Sequence, residues 1–158
     1  ALTERLRQVL DVEKVAVFIE DESSEKYKIA KSIGLNGYKI PGDFRQMIRQ
    51  KSAEKGVVRA DELESLDVET NNGNGIHRQE LHYFVPCVAR GKMVAVIGLG
   101  RASDGSLLSS EDLEILQTVS GYVAVAVENS LLYQEQEKRA AELALLKEFN
   151  ESIVESVN

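Results

Sequence analysis

A single cysteine, Cys87, and only two prolines occur among the 158 residues, and tryptophan is absent. One thiol cannot close an internal disulfide or build a cysteine-based zinc site, and a reducing cytoplasm is the simplest compartment for it. Long apolar runs are missing too. No stretch approaches the roughly 20 residues a membrane span needs, so no bilayer crossing is expected in this segment. The opening residues ALTERLRQVL are amphipathic and do not read as the basic end and apolar run of a signal peptide. No methionine opens the chain, which suggests a segment trimmed from a longer protein, although processing also removes that residue. Positive charge is in deficit: Lys and Arg total 19 against 26 Asp and Glu. The basic residues are scattered among acids, which argues against nucleic acid as a partner.

What is present fits one ordinary domain. Apolar residues make up 43% and charged residues 28%, near the averages for globular chains, and the length allows a substantial core.

Leu2, Leu6, Val9 and Leu10 recur at helical spacing, with Thr3 available as a cap. Lys14 to Glu20 reads as a strand buried on both faces, and Tyr27 to Ile33 as its hairpin partner. Asp43 to Lys51 predicts a short helix with Phe44, Met47 and Ile48 on one face. Gly56 to Ala60 is a brief strand at best. The acidic stretch from Asp61 to the glycines of NNGNG reads as a mobile surface loop. Order returns with LHYFVPCVA and MVAVIGLGRA, an apolar hairpin around Arg90-Gly91-Lys92. Pro86 cannot donate a ladder hydrogen bond, so it should sit at a sheet edge or bulge.

Ser110, followed by Glu111 and Asp112, makes a helix start, with a capping hydroxyl and acids in the first turn. From there to Val157 no proline occurs and only Gly121 interrupts. An unbroken helix of that length would run on the order of 70 Å, more than a small globular core needs. Its tail repeats: Leu143, Leu146, Asn150, Ile153 and Val157 fall at the alternating three- and four-residue spacing of a coiled-coil seam. The same register runs back through Leu132, Asn129, Val125, Tyr122 and Ile115, crossing a polar stretch with Gln136 and Arg139. Packing of this tail back onto the domain is the alternative, because two heptads are few for a coiled coil.

The order of elements, together with the run FVPCVARGKMVAVIGLGRASDGSLLSSEDLEILQTVSGYVAVAVENSLLYQE, resembles a GAF domain of the kind found in bacterial sensor histidine kinases. The similarity covers about residues 3 to 133. It departs from the family at Cys87, where an aliphatic residue is usual, and at Ala95, where glycine is common. The resemblance implies an α+β fold: an antiparallel sheet with the N- and C-terminal helices on one face and a pocket side carrying a short helix and loop. It divides the chain into a sensor domain, residues 1–132, and a signalling linker helix, residues 133–158. The tail EKRAAELALLKEFNESIVESVN is similar to connectors that precede a PAS module and kinase output. A non-catalytic, cytoplasmic regulatory module is therefore expected, forming a homodimer and relaying a small-molecule or conformational signal through its last helix.

Catalytic signals are weak. A nucleophilic cysteine needs a nearby histidine and a thiolate-stabilising setting, whereas Cys87 sits in an apolar strand. The GAF-fold enzymes that reduce free methionine sulfoxide use several cysteines. Some haem-binding members carry an iron-ligating histidine shortly before the same Val-Pro strand, near His77; His82 reads as a surface or half-buried residue. A haem- or redox-based sensor using His77 or Cys87 is thus one alternative, and a structural dimerisation module with no ligand is another. Bilin attachment lacks its adjacent Cys and His, the NKxxDE-like cyclic-nucleotide signature is not seen, and no metal set is proposed. No cofactor is the main expectation. If a small molecule binds, Phe44, Met47, His77, Phe84 and Cys87 are the candidate walls.

Overall fold

The computed structural model describes residues 2–20, 26–35, 38, 40, 43–52, 56–62 and 80–157. His77 and most of the acidic loop expected after Asp61 lie outside them.

Helix α1 (Leu2–Leu10) opens the chain and buries Leu6 and Leu10. Thr3 lies inside this helix and is itself buried, so it does not serve as the cap its position suggested. Asp11 ends α1 with a φ of 50°, a left-handed conformation that Asp tolerates better than most side chains. Strands β1 (Val15–Glu20) and β2 (Tyr27–Ile33) form the first hairpin. After α2 (Phe44–Ser52) come the two-residue β3 (Val58–Arg59) and a 3-10 turn over Ala60–Glu62. The second hairpin joins β4 (Tyr83–Ala89) to β5 (Lys92–Leu99). Arg90 and Gly91 take φ of 52° and 75°, the pair of left-handed residues of a type I′ turn, whose twist matches the flanking strands.

Among the described residues, five strands make one antiparallel sheet in the order β2-β1-β5-β4-β3. The central β1 and β5 are apolar nearly throughout because both their faces are covered. Edge strand β2 instead exposes Lys28, Lys31 and Ser32. Helix α1 packs against β1 and β2 on one face, and α2 lies on the other, against β3 and β4. The Tyr83 hydroxyl accepts a hydrogen bond from the Leu108 amide (3.1 Å), which ties the approach to the last helix to the α1 face.

The expected conflict at Pro86 resolves through the shortness of β3. That strand pairs only with Tyr83 and Phe84, so among the described residues no strand pairs with the outer side of β4 at Pro86, and the register slips between Cys87 and Val88.

Helix α3 spans Ser110–Val157. Its cap is one residue earlier than expected. The Ser109 hydroxyl accepts from the Asp112 amide, and the Asp112 carboxylate accepts from the Ser109 amide, both at 3.2 Å, a reciprocal capping box. The first turns bury Leu116, Ser120, Val123 and Ala124. By length and composition alone α3 could cross a membrane, which the sequence reading did not anticipate, but the domain uses these four side chains for its own core. The chain divides into two compact units, Ala1–Ala124 and Val125–Asn158. In the second, every described side chain from Asn129 to Glu155 is exposed.

Candidate functional site

The α2 face is where a ligand would be sought, and its chemistry follows from strand alternation. Ala16 and Phe18 of β1, Tyr27 of β2, Phe84 of β4 and Val96 of β5 share it, because side chains two apart in a strand point the same way. Phe44 and Ile48 of α2 press onto it and are buried, with Met47 packed against them. Phe44 is the hub: its ring centroid lies 5.1 Å from Phe18, 5.3 Å from Phe84 and 6.1 Å from Tyr27, in tilted or edge-on contacts. Gly98 makes room for this packing. A Cβ there would fall 2.8 Å from the Leu81 Cδ1 and 2.9 Å from the Phe18 Cε2.

Two polar contacts border the cluster. The Tyr27 hydroxyl donates to the Met93 carbonyl (3.0 Å), and burial pushes its pKa up to about 12, against a smaller opposing pull from Arg45. Arg45 of α2 pairs with Glu20 at the end of β1 at 2.8 Å and anchors the helix over the sheet. Among the described residues the face is apolar and its rings touch one another, so a small molecule placed among Phe18, Phe44 and Phe84 must displace or rotate at least one of them.

The family model for the GAF domain matches residues 1–129. The chain belongs to the GAF domain family. No curated protein matches it significantly. Among solved structures it is similar to the GAF domain/HD domain protein from Geobacter sulfurreducens, at 19% identity and a TM-score of 0.57, covering 84% of this chain and 91% of that one. It is similar to the GAF domain of a phosphoenolpyruvate-protein phosphotransferase from Acinetobacter, at 15% identity and a TM-score of 0.59, covering 83% and 80%. A third is the GAF domain of a two-component sensor histidine kinase from Bacillus halodurans, at 17% identity and a TM-score of 0.54, covering 84% and 93%. Identities this low speak for the fold. The family supplies sensory and regulatory modules to varied signalling proteins.

Of the candidate pocket residues in this GAF domain, Phe44, Met47 and Phe84 meet in one cluster. Cys87 does not belong to it. Strand alternation sets Cys87 with Tyr83 and Val85 on the opposite face from Phe84, and it pairs with Ala95 across the ladder. The thiol is fully buried, its Sγ donates weakly to the Val85 carbonyl at 3.9 Å, and burial pushes its pKa up to about 12. That is the setting of a small apolar side chain, and it opposes the thiolate a redox sensor needs. His82 precedes the same strand, with its ring edge-on to Tyr83 at 4.7 Å. Burial first, then Arg101, lowers its pKa and favours neutral imidazole. Five residues of extended chain separate His82 from Cys87, roughly 16 Å, so the two do not form a nucleophile–base pair. Among the described residues no group of His, Cys, Asp and Glu gathers closely enough to hold a metal ion.

Phe18, Tyr27, Ile48 and Leu81 complete the face and were missed as candidate walls. Alternation within β1 carried the signal for Phe18, which shares its side with Ala16. For Leu81 there was none, since its partner is the gap at Gly98.

The other candidate set lies on α3. Leu132, Leu143, Leu146 and Ile153 are all exposed, Leu143 and Leu146 by 67% and 57%, and Asn150 is exposed with them. Val157 is the last helical residue.

Proposed function

We propose that the chain is a non-catalytic regulatory module of a bacterial signalling protein, and that α3 carries its output. The observation behind this reading is the row of large apolar side chains left exposed on one continuous helix, Leu132, Leu143, Leu146 and Ile153. Such a row is costly to leave in water and matches the seam of a helical homodimer. On this reading residues 1–132 are the sensor and residues 133–158 the linker. A change at the α2 face alters helix packing by the 1–3 kcal/mol typical of coupled sites. The tail's similarity to connectors that precede a PAS module, and the likeness to a histidine kinase GAF domain, support a kinase output in the cytoplasm.

Light scattering on this segment, and on a version ending at Tyr133, tests the reading. A dimer that weakens on truncation is expected, and Leu146→Asp should weaken it as well. A monomer at all practical concentrations refutes it.

The filled α2 face favours a second reading, a dimerising strut without a ligand. A thermal-shift screen separates the two, because a ligand that binds only the native state raises apparent stability. Haem sensing through His77 has its own test. Protein purified from haem-supplied cells would absorb near 400 nm, a band lost in His77→Ala; a colourless protein ends that alternative.

A further inference from the structure

We propose that Gly56 and Gln117 form the contact by which a shift of the α2 face reaches the root of α3, with β3 as the strap between them. This rests on the regulatory reading above and gives it a route. The sheet separates the two helices: α2 covers the ring cluster, whereas the entry to α3 is held by Tyr83 on the other face. A connection between them passes either through the sheet or round its edge. Among the described residues the edge strand packed against α2 is β3.

This segment reaches both faces. Val58 and Ala60 are fully buried in the cluster that holds Phe44 and Ile48. Gly56, two positions before Val58, lies instead against α3: a Cβ there would collide with the Gln117 Nε2 and stand 3.2 Å from its Cδ. Glycine lets the backbone come this close, and any larger residue would push the Gln117 side chain away. Gln117 follows the fully buried Leu116, and its carbonyl accepts from the Ser120 hydroxyl at 2.6 Å. A push on Gln117 is therefore delivered to the packed side of the helix.

β3 is also the strand that can yield. Among the described residues two ladder pairs hold it, Val58 with Phe84 and Arg59 with Tyr83, while β4 is paired along its whole length on the other side. Segments with so few ladder bonds open at low free energy. Tyr83 sits in the well-paired β4, so its 3.1 Å bond to the Leu108 amide fixes the entry of α3. Gln117, about two turns into the helix, is where a moving strap would tilt it.

Amide hydrogen exchange on the full chain tests this route, with β1 and β5 as the internal reference for global opening. Phe44→Leu, which disturbs the cluster, should speed exchange from Leu116 to Ala124 about tenfold relative to those strands, a change of the size found between coupled sites. Gly56→Ala displaces the flexible end of Gln117 at small cost, and Gln117→Ala removes it. In either background Phe44→Leu should change α3 exchange by less than about twofold, as expected of independent sites. Ile48→Val is the gentler disturbance of the same cluster if Phe44→Leu folds poorly. An α3 response that survives either Gly56→Ala or Gln117→Ala overturns this route and leaves the regulatory reading standing. No α3 response to Phe44→Leu or Ile48→Val in the otherwise unaltered chain overturns both.

Discussion

Replacing Phe44 by alanine removes the ring that touches Phe18, Tyr27 and Phe84, and so asks whether the α2 face is packed core or a vacant pocket. Phe44 is buried to within 1% of full exclusion, and deleting a buried phenylalanine costs about 3–5 kcal/mol in transfer and cavity terms. Each aromatic contact adds about 0.5–1.5 kcal/mol beyond area, which places this variant in the upper half of the range. Phe44→Leu keeps most of the burial and loses the ring edges, for about 1–2 kcal/mol. The assay is urea unfolding followed by the near-UV tyrosine signal, since Tyr27 and Tyr38 pack on this face. Protein concentration is held constant so that association does not contribute. With a slope of about 1–3 kcal/mol/M, the Phe44→Ala midpoint should fall by roughly 2 M. The new cavity is dry and apolar, so benzene should recover part of the loss. A cost below about 1 kcal/mol would refute the reasoning, because it would mean the ring stands in space that is already loose or wet.

Other expectations are smaller and independent. Ser109→Ala should cost about 1 kcal/mol through loss of the α3 cap, with Ser109→Asp close to neutral and Ser110→Ala within about 0.5 kcal/mol, all readable as thermal midpoints. Gly98→Ala should destabilise by about 1–3 kcal/mol, since its methyl meets Leu81 and the buried Phe18 ring; an unchanged urea midpoint would show the face has slack. Cys87 keeps its proton to about 12 when folded and to only 9.0 when free, so its contribution is whole below the free value and is lost as pH rises between the two. Tyr27 acts in the same direction above 10.0. Stability should therefore fall in alkali, and fall less steeply in Cys87→Ala. His82 works at the other end: the folded state resists its protonation, so stability drops as pH descends through the histidine range, and His82→Gln should flatten that limb of the pH profile.

Much of this fold was legible because its signals are local. The alternation of Tyr27–Ile33, the turn at Arg90-Gly91 and the proline-free run to Val157 depend on residues within a few positions of one another, and the elements follow them closely. The seam on α3 is of the same kind: a helix fixes which side chains share a stripe whatever surrounds it.

The candidate face was legible only in part. Phe44, Met47 and Phe84 were visible as apolar residues on regular elements, but whether they meet depends on the order β2-β1-β5-β4-β3, which joins segments far apart in the chain. Cys87 and Phe84 both stand among the candidate walls, but they lie three apart in β4, and a period of two residues sends them to opposite faces. The cap falls at Ser109 and not at Ser110 because Asp112 stands three residues after Ser109 and its carboxylate reaches the Ser109 amide, whereas Leu113 holds that place for Ser110. Pro86 is tolerated because β3 is too short to cover it. Sequence by itself determined the elements, the lone thiol and the stripe along α3, since these need only neighbouring residues. Tertiary structure decided which side chains close the α2 face, because cross-strand pairing and the gap at Gly98 are contacts that no local period encodes.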